Sequence, residues 1–300
     1  MRLQLVGTLR FAHPTCYHHE AIKDDRCRIV PGGIIMKSIS AKFRTLALGL
    51  AGALLLTGPA GAAEIRVMIS GGLTAAYQAL VPEFEKATGN KVLTAFGPSM
   101  GTTVNAIPVR LERGEAADVL IMVGYALADL VKNGKVVAGS QVDLTRSPIG
   151  IAVKAGAAKP DISSVEAVKR ALLAAKTVAY SDSASGVYVS TEMFEKLGIA
   201  DAMKDKARKI PATPVGEIVA RGEAELGFQQ ISELKPVQGI DIVGPLPNEL
   251  QKVTVFSAGI ATVSKEPEAA RALIKFLSSP AARDTIIKSG MEPIAAGATN

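Results

Sequence analysis

The sequence predicts an α/β protein whose sheets are mostly parallel. From Glu64 onward, short apolar strands alternate with amphipathic helices, the pattern typical of strand-helix-strand architecture. The first pair is a strand at 65–69 and a helix at 73–88, in which apolar residues recur at helical spacing. The unit then repeats, and residues 63–300 are long enough for two lobes of roughly 100 to 150 residues each.

The later elements follow the same alternation. The predicted strands are 91–96, 118–122, 147–153, 177–181, 225–230 and 253–263. The predicted helices run from the loop at 97–103 to about 113, and over 126–132, 164–175, 186–197, 217–221, 267–277 and 280–288. Pro267 and Pro280 suit first helical positions, where the missing N–H has no partner to lose. We interpret 253–263 as a segment that crosses between the lobes.

The first 62 residues are expected to be absent from the working protein. Residues 36–62 have a basic start, a short apolar run and a small-residue end, which together predict a secretory signal peptide cleaved after Ala62. Residues 1–35 precede that signal and contain both cysteines and all three histidines, in a spacing that fits no standard zinc site. Because a signal peptide should start a chain, we expect translation to begin at Met36.

Removal of residues 1–62 lowers the net charge of the remaining protein. The whole chain has 34 basic and 28 acidic residues, of which 8 and 3 lie within residues 1–62, so the remainder is nearly neutral. A nearly neutral chain gives no support for binding to nucleic acid or to a membrane surface. Residues 63–300 also contain no Cys, His or Trp, so Cys-based and His-based catalysis, disulfides and the usual zinc sites are excluded there.

Three loops that combine glycine with hydroxyl residues are the candidate binding elements. They are Ser70-Gly71-Gly72, Pro98-Ser99-Met100-Gly101-Thr102 and Ser183-Ala184-Ser185-Gly186. Each is predicted between a strand and a helix, where free N–H groups and the helix dipole favour an anion. Such loops are also ordinary helix caps, and both roles stay open. None is a Walker loop or a dinucleotide fingerprint, which disfavours nucleotides.

Other polar residues are weaker candidates. Gln229 and Gln230 end a predicted strand, and because strand faces alternate, only one of them can face a cleft; either one fits. Tyr125 and Tyr188 offer phenol groups, with packing as the alternative role. Arg146 is the one cation nominated for a carboxylate, with a surface salt bridge as its alternative.

The order of these motifs resembles the molybdate-binding type of periplasmic solute-binding protein. The resemblance rests on the signal peptide, the strand-Ser70-Gly71-Gly72-helix unit, the loop at 97–103, the segment 114–121 and the C-terminal pair of helices, and it covers 64–293. It implies the type II periplasmic-binding-protein fold, with an anion held between two lobes by serine hydroxyls and backbone N–H groups. The lobes would be 63–147 plus 250–300, and 148–249, joined by two crossing strands.

The sequence departs from the molybdate-binding pattern at the binding loops. Gly71-Gly72 stands where the family usually has a hydroxyl residue, Pro98-Ser99-Met100-Gly101 replaces a triple-serine loop, and Gln230 replaces a tyrosine. These changes remove donors sized for a tetrahedral oxyanion. In this respect the chain is more similar to a divergent branch of the family that includes aconitate isomerase.

The resemblance implies a periplasmic, monomeric binding protein that clamps a small anion, an oxyanion or a small organic polycarboxylate. Its partner would be an ABC permease in the inner membrane, and no cofactor or metal is expected. The expected ligand-binding residues are Ser70, Gly71, Gly72, Ser99, Met100, Gly101, Thr102, Ser183, Ser185, Gly186, Tyr188 and Gln230. The alternative is an aconitate isomerase, whose base would be Asp182, which also suits a helix cap, or a tyrosine, lysine or glutamate.

Overall fold

The computed structural model describes residues 61–294, in which strands and helices alternate as predicted. The strands are β1 Glu64–Ile69, β2 Lys91–Phe96, β3 Val119–Val123, β4 Val142–Ser147, β5 Ile149–Lys154, β6 Val178–Ser181, β7 Ala207–Ile210, β8 Leu226–Gln230, β9 Ile240–Pro245, β10 Thr254–Ile260 and β11 Glu292–Pro293. The helices are α1 Thr74–Thr88, α2 Ile107–Glu112, α3 Gly124–Lys132, α4 Val165–Ala174, α5 Ala184–Tyr188, α6 Phe194–Lys196, α7 Ala200–Met203, α8 Val215–Ala220, α9 Ile231–Leu234, α10 Pro267–Leu277 and α11 Arg283–Lys288.

Three shorter turns extend these helices. The 3₁₀ turns Gly71–Leu73 and Pro280–Ala282 precede α1 and α11, and the π turn Val189–Met193 joins α5 to α6. The stretch from α5 to α6 therefore continues over 184–196, two residues earlier in the chain than the predicted start at Gly186. It ends before Gly198, whose φ of 63° is the left-handed conformation that glycine adopts freely.

The strands form two sheets, and both sheets are mixed. The six-stranded sheet has the order β11-β4-β10-β3-β1-β2, and the five-stranded sheet has the order β7-β6-β8-β5-β9. β1 is parallel to β2 and β3, and β6 is parallel to β7 and β8, but the other pairings are antiparallel. The α/β class is confirmed, with more antiparallel pairing than the alternation predicts, because β4, β5, β9, β10 and β11 all enter as antiparallel neighbours.

The chain passes between the sheets twice. Pro148 separates β4 in the first sheet from β5 in the second, and residues 246–253 lead back from β9 to β10. The side-chain amide of Gln251 holds the two passages together, since its Oε1 accepts from the Ile149 N–H at 2.8 Å and its Nε2 donates to the Ile149 carbonyl at 3.0 Å. β10 lies inside the six-stranded sheet, so the interpretation of 253–263 as the crossing segment is wrong.

Each sheet has its own apolar core. β3 is buried along its whole length between β1 and β10, and α1 packs Tyr77, Leu80 and Phe84 on this sheet at helical spacing. The second core centres on Phe228 of β8, with residues of α4 and of the 184–196 stretch around it. These cores hold the carboxyl ends of the parallel strands, and the loops that follow them, at fixed positions.

Six short elements were not predicted, and one predicted element is shorter than expected. The six are β4, β7, β9, β11, α7 and α9, and of these β7, β11, α7 and α9 have four residues or fewer, too few to show a period. α2 begins only at Ile107, so the loop that contains Ser99 does not lead directly into a helix as expected. Within the described residues, no helix is both long and apolar enough to cross a membrane. The predicted signal peptide and residues 1–35 lie outside the described residues, apart from residues 61 and 62.

Candidate functional site

A cavity of about 420 Å³ lies at the carboxyl ends of the parallel strands, and we call it the cleft cavity. Its lining comes from segments of both sheets: Gly71, Thr74, Ala75, Gln78, Phe96, Gly97, Pro98 and Asn105 from the first, and Ser181, Asp182, Ser183, Ala212, Thr213, Pro214, Gln229, Ser232, Glu233 and Pro236 from the second. This is where ligands of open α/β sheets bind. Its volume lies within the range of roughly 300 to 1,000 Å³ of small-molecule sites.

The first glycine loop reaches this cavity through a single residue. Ser70 is buried; its N–H donates to the Ile121 carbonyl at 2.9 Å, and its hydroxyl has no hydrogen-bond partner among the described residues. Gly71 borders the cavity. Gly72 faces the ring of Phe256, which an added Cβ would meet at 2.1 Å, so this glycine serves close packing.

The second loop approaches the cavity only with its first residues, Gly97 and Pro98. Ser99 is fully buried, and its Oγ accepts a hydrogen bond from the Val123 N–H at 3.0 Å, which ties the loop to β3. Met100 packs against the core of the first sheet. Gly101 and Thr102 are exposed and border neither of the cavities described here. The expected cluster of donors at 99–102 is therefore not brought together with the other two loops.

The third loop contributes Ser183, together with Ser181 and Asp182, to the cavity wall. Ser185 is buried behind this wall, and its Oγ lies 3.0 Å from Ser181 Oγ. Gly186 packs on the Ser181 carbonyl, which an added Cβ would meet at 1.7 Å. Ser185 and Gly186 therefore shape the loop from behind, and Ser183 is the member of the predicted set that faces the cavity.

Gln229, and not Gln230, borders the cleft cavity. The Oε1 of Gln229 accepts from the Val215 N–H at 2.8 Å, which ties β8 to the start of α8. The Nε2 of Gln230 donates to Thr254 Oγ1 at 2.8 Å, so this amide links β8 to β10, while its buried Oε1 has no partner among the described residues. The alternation of strand faces thus sends the two amides in different directions.

Tyr125 and Tyr188 border a second, larger cavity of about 720 Å³, which we call the tyrosine cavity. The Tyr188 hydroxyl donates to the Leu250 carbonyl at 2.6 Å, and its ring lies 5.2 Å from the Lys252 Nζ. Lys252 in turn pairs with Glu192 at 2.6 Å. Tyr188 is therefore committed to packing and hydrogen bonding away from the cleft cavity.

Arg146 does not serve the cleft cavity. It lies on β4, opposite Val255 of β10 and Glu292 of β11, and borders neither described cavity. No Lys, Arg or His is present in the cavity lining drawn from the described residues. An anion in this cavity would therefore be held by neutral groups, the N–H groups and dipoles expected at the starts of the helical stretches 71–88 and 184–196.

A tight turn at 211–213 forms another part of the wall and was not predicted. The Thr213 N–H donates to the Pro211 carbonyl at 2.7 Å, and Ala212 between them has φ of 58°. A hydrogen bond across three residues with a positive central φ defines a strained γ-turn. Ala212 is the one residue besides glycine with positive φ in the described structure, and strain of this kind clusters at ligand sites.

Glu233 is the most important residue that the sequence reasoning did not place. It lies on α9, directly after β8, and its side chain reaches the first glycine loop: a Cβ added at Gly71 would lie 2.1 Å from Glu233 Oε1. The carboxyl group keeps some surface open to the cavity although protein atoms surround it on most sides. Two features of the sequence agree with this position: Gly71-Gly72 stands where the family usually has a hydroxyl residue, and Glu233 is an acid shortly after the end of a predicted strand.

Burial raises the pKa of Glu233 from 4.5 to about 7. The negative charge of Asp182 acts in the same direction, and hydrogen bonds from the Gln229 side chain and the Gln230 backbone act in the opposite direction. A carboxyl group with this pKa is present in both protonation states near neutral pH. The cleft cavity therefore contains a residue able to accept and return a proton.

Two sheets with a ligand-sized cavity at the carboxyl ends of their strands define a protein of the type II periplasmic-binding class. The solved periplasmic molybdate-binding protein of Azotobacter vinelandii shares this fold, with a TM-score of 0.59 at 20% identity over 76% of this chain and 98% of that one. The chain belongs to the bacterial extracellular solute-binding protein family, whose model matches residues 65–292.

Two curated relatives bear on the ligand. An aconitate isomerase from a Pseudomonas species is 51% identical over 84% of this chain and 97% of its own length. The molybdate-binding protein ModA of Azotobacter vinelandii is 28% identical over 78% of this chain and 92% of its own. The predicted resemblance to the molybdate-binding family and to its branch with aconitate isomerase is confirmed.

Proposed function

We propose that this protein is an exported aconitate isomerase that interconverts cis- and trans-aconitate in the cleft cavity. The observation that carries this proposal is that the Glu233 carboxyl group, whose pKa is raised to about 7, faces the cleft cavity, whose lining within the described residues contains no Lys, Arg or His. Support comes from the 51% identity to a protein named aconitate isomerase, which extends over nearly all of that relative. The proposed location is the periplasm, in line with the family.

The reaction requires no cofactor, oxidant or second substrate. A base removes one proton from the methylene carbon beside a carboxylate, and the C–H electron pair becomes part of an allylic carbanion. The same proton, or one exchanged with solvent, then adds to the former vinyl carbon, and the double bond moves to its new position. The developing charge spreads onto the substrate carboxylates, which backbone N–H groups at helix starts can stabilise.

The serious alternative is a transport protein that binds a small anion and delivers it to an ABC permease, without chemistry. The family, in which solute binding is the common role, favours this alternative. Closure of two lobes around the ligand by a hinge would then be the functional motion. The hinge would lie at Pro148 and at 246–253, where the two passages between the sheets run side by side.

One experiment separates these functions. Purified protein is incubated with cis-aconitate, and the trans isomer is followed by chromatography; we expect conversion. In parallel, the melting temperature is measured with molybdate, tungstate, sulfate, citrate and both aconitates, because a ligand selective for the folded state raises it. A shift with aconitate but no conversion would favour the transport role. A shift with molybdate and tungstate alone would contradict binding of organic anions.

A further inference from the structure

We propose that Glu233 is the residue that moves the substrate proton, and that Gly71 has no side chain because the Glu233 carboxyl group occupies that space. This inference rests on the proposed isomerase function and assigns its base. It starts from geometry: Glu233 extends from the second sheet's side of the cleft cavity onto the loop after β1.

The backbone of α9 holds Glu233 in a defined position. Gln230, the last residue of β8, is also the residue that precedes α9, so no flexible loop lies between sheet and helix. The neighbours of Glu233 in α9, Ser232 and Leu234, are buried. α9 also packs against α1 and the turn at Gly71–Leu73, which belong to the first sheet's side. Glu233 is therefore held where both halves of the cavity meet.

Gly71 and Glu233 fit each other sterically. An added Cβ at Gly71 would lie 2.1 Å from Oε1 of Glu233, which is closer than nonbonded atoms approach, and 3.1 Å from its Cδ, which is a tight contact. The glutamate in its present rotamer therefore requires glycine at position 71. The glycine is not needed for backbone conformation, because Gly71 is not among the residues with positive φ.

The other candidates for the base are less suitable. Tyr188 donates its hydroxyl to the Leu250 carbonyl and, like Tyr125, borders the tyrosine cavity. No lysine borders the cleft cavity within the described residues. Asp182 does border it, and its charge is one of the causes that raise the pKa of Glu233. We therefore assign Asp182 the role of a positioning residue that tunes Glu233 electrostatically.

The charged groups around Glu233 are few. On the cavity side, Asp182 is the charged residue besides Glu233 itself. On the outer side, a shallow depression that Glu233 also borders contains Glu217 and Arg221, which pair with each other at 3.7 Å. A pKa of about 7 suits a group that must take a proton from carbon and return it to a second carbon.

The test is Glu233→Gln in the full chain, with Glu217→Gln as the matched control on the outer side. Glutamine keeps the shape but cannot accept the proton, so the isomerisation rate should fall on the order of 10²- to 10⁴-fold. The rise in melting temperature caused by trans-aconitate should remain, and the control should convert at the wild-type rate.

The Asp182→Asn variant tests the role of Glu233 through the pH profile of the reaction, which would not change if Glu233 were only structural. With the neighbouring charge removed, the pKa of Glu233 falls, so the acid limb of the kcat/KM profile should shift to lower pH. Conversion by Glu233→Gln at the wild-type rate, or an unmoved acid limb in Asp182→Asn, would overturn this assignment while the isomerase function stands. Absence of conversion by the wild-type protein would instead overturn the proposed function, and the assignment with it.

Discussion

The two cavities of this protein use similar residue types in opposite ways. In the tyrosine cavity the polar groups have partners: Tyr188 donates to the Leu250 carbonyl, and Lys252 pairs with Glu192. In the cleft cavity the charge of Asp182 raises the pKa of Glu233, and the lining that the described residues provide contains no cation. In the larger cavity the charged groups are thus paired, and in the smaller cavity the two acids have no cationic partner among the lining residues, which is the arrangement that the proposed proton transfer requires.

Under the proposed function the smaller cavity is the active site, so cavity size alone does not identify it. An ion pair that is half-exposed to solvent stabilises the fold only slightly, and its two charges already neutralise each other, so neither is available to bind a ligand. An acid whose pKa is raised toward neutrality by burial destabilises the folded state when it ionises, and such acids are characteristic of catalytic sites. The comparison can be tested by removing the distinguishing features one at a time.

After the loss expected for Glu233→Gln, the largest effect should come from Gly71→Ala. The added methyl group meets the Glu233 carboxyl, which must move, and a displacement of about 1 Å can cost on the order of 10²-fold in rate. Steady-state assays should show a lower kcat, and circular dichroism should show an unchanged fold. Wild-type kcat in this variant would contradict the proposed fit between the two residues.

The next effect is a dependence of stability on pH. Because the folded-state pKa of Glu233 is above its ordinary value of 4.5, the folded protein binds more protons between pH 4.5 and about 7. The contribution of this group to the free energy of unfolding is therefore full below pH 4.5 and is lost as pH rises through 7, by about 3 kcal/mol. Urea unfolding of wild type and Glu233→Gln across this range measures it.

In that experiment, the difference in unfolding free energy between Glu233→Gln and wild type should grow in favour of the variant as pH rises. No titratable group remains at position 233 in the variant, so this part of the pH dependence disappears. A difference that stays constant from pH 4.5 to 8 would show that Glu233 titrates normally, and the contrast between the two cavities would lose its electrostatic basis.

The smallest effect belongs to the tyrosine cavity. Tyr188→Phe removes a hydrogen bond to the Leu250 carbonyl, which should lower the free energy of unfolding by about 1 kcal/mol. Conversion of aconitate should change little, because this hydroxyl does not border the cleft cavity. Chemical denaturation and the isomerisation assay together check both parts. A large loss of conversion with unchanged stability would move Tyr188 back into the ligand site.

The longer helices and strands could be predicted from the sequence because their apolar residues follow a regular pattern. α1 shows its apolar face at helical spacing, and β3 is an unbroken apolar run. α9 has four residues and no period, so the sequence could not show that a helix there carries Glu233 into the cleft cavity. The antiparallel pairing of β5 with β8 and β9 was not predicted, because the residue pattern of a short strand does not show whether its neighbour runs parallel or antiparallel to it.

The candidate site was predicted at the level of loops and not of side chains. Gly71, 97–98 and 181–183 do line one cavity at the carboxyl ends of the strands, as composition indicated. The Ser99 and Tyr188 hydroxyls are hydrogen-bonded to the backbone and are not directed into the cleft cavity. The Ser99 hydroxyl accepts from the Val123 N–H, and the Tyr188 hydroxyl donates to the Leu250 carbonyl. The contact between Gly71 and Glu233 joins residues far apart in the chain, and no local pattern encodes such a contact.

The most direct test of the central claim is to follow cis-aconitate by proton NMR in the presence of wild-type protein and of Glu233→Gln. The account predicts that vinyl and methylene signals of trans-aconitate appear with the wild-type protein and not with the variant. Equal conversion by both proteins, or cis-aconitate that stays unchanged with the wild type, would contradict it.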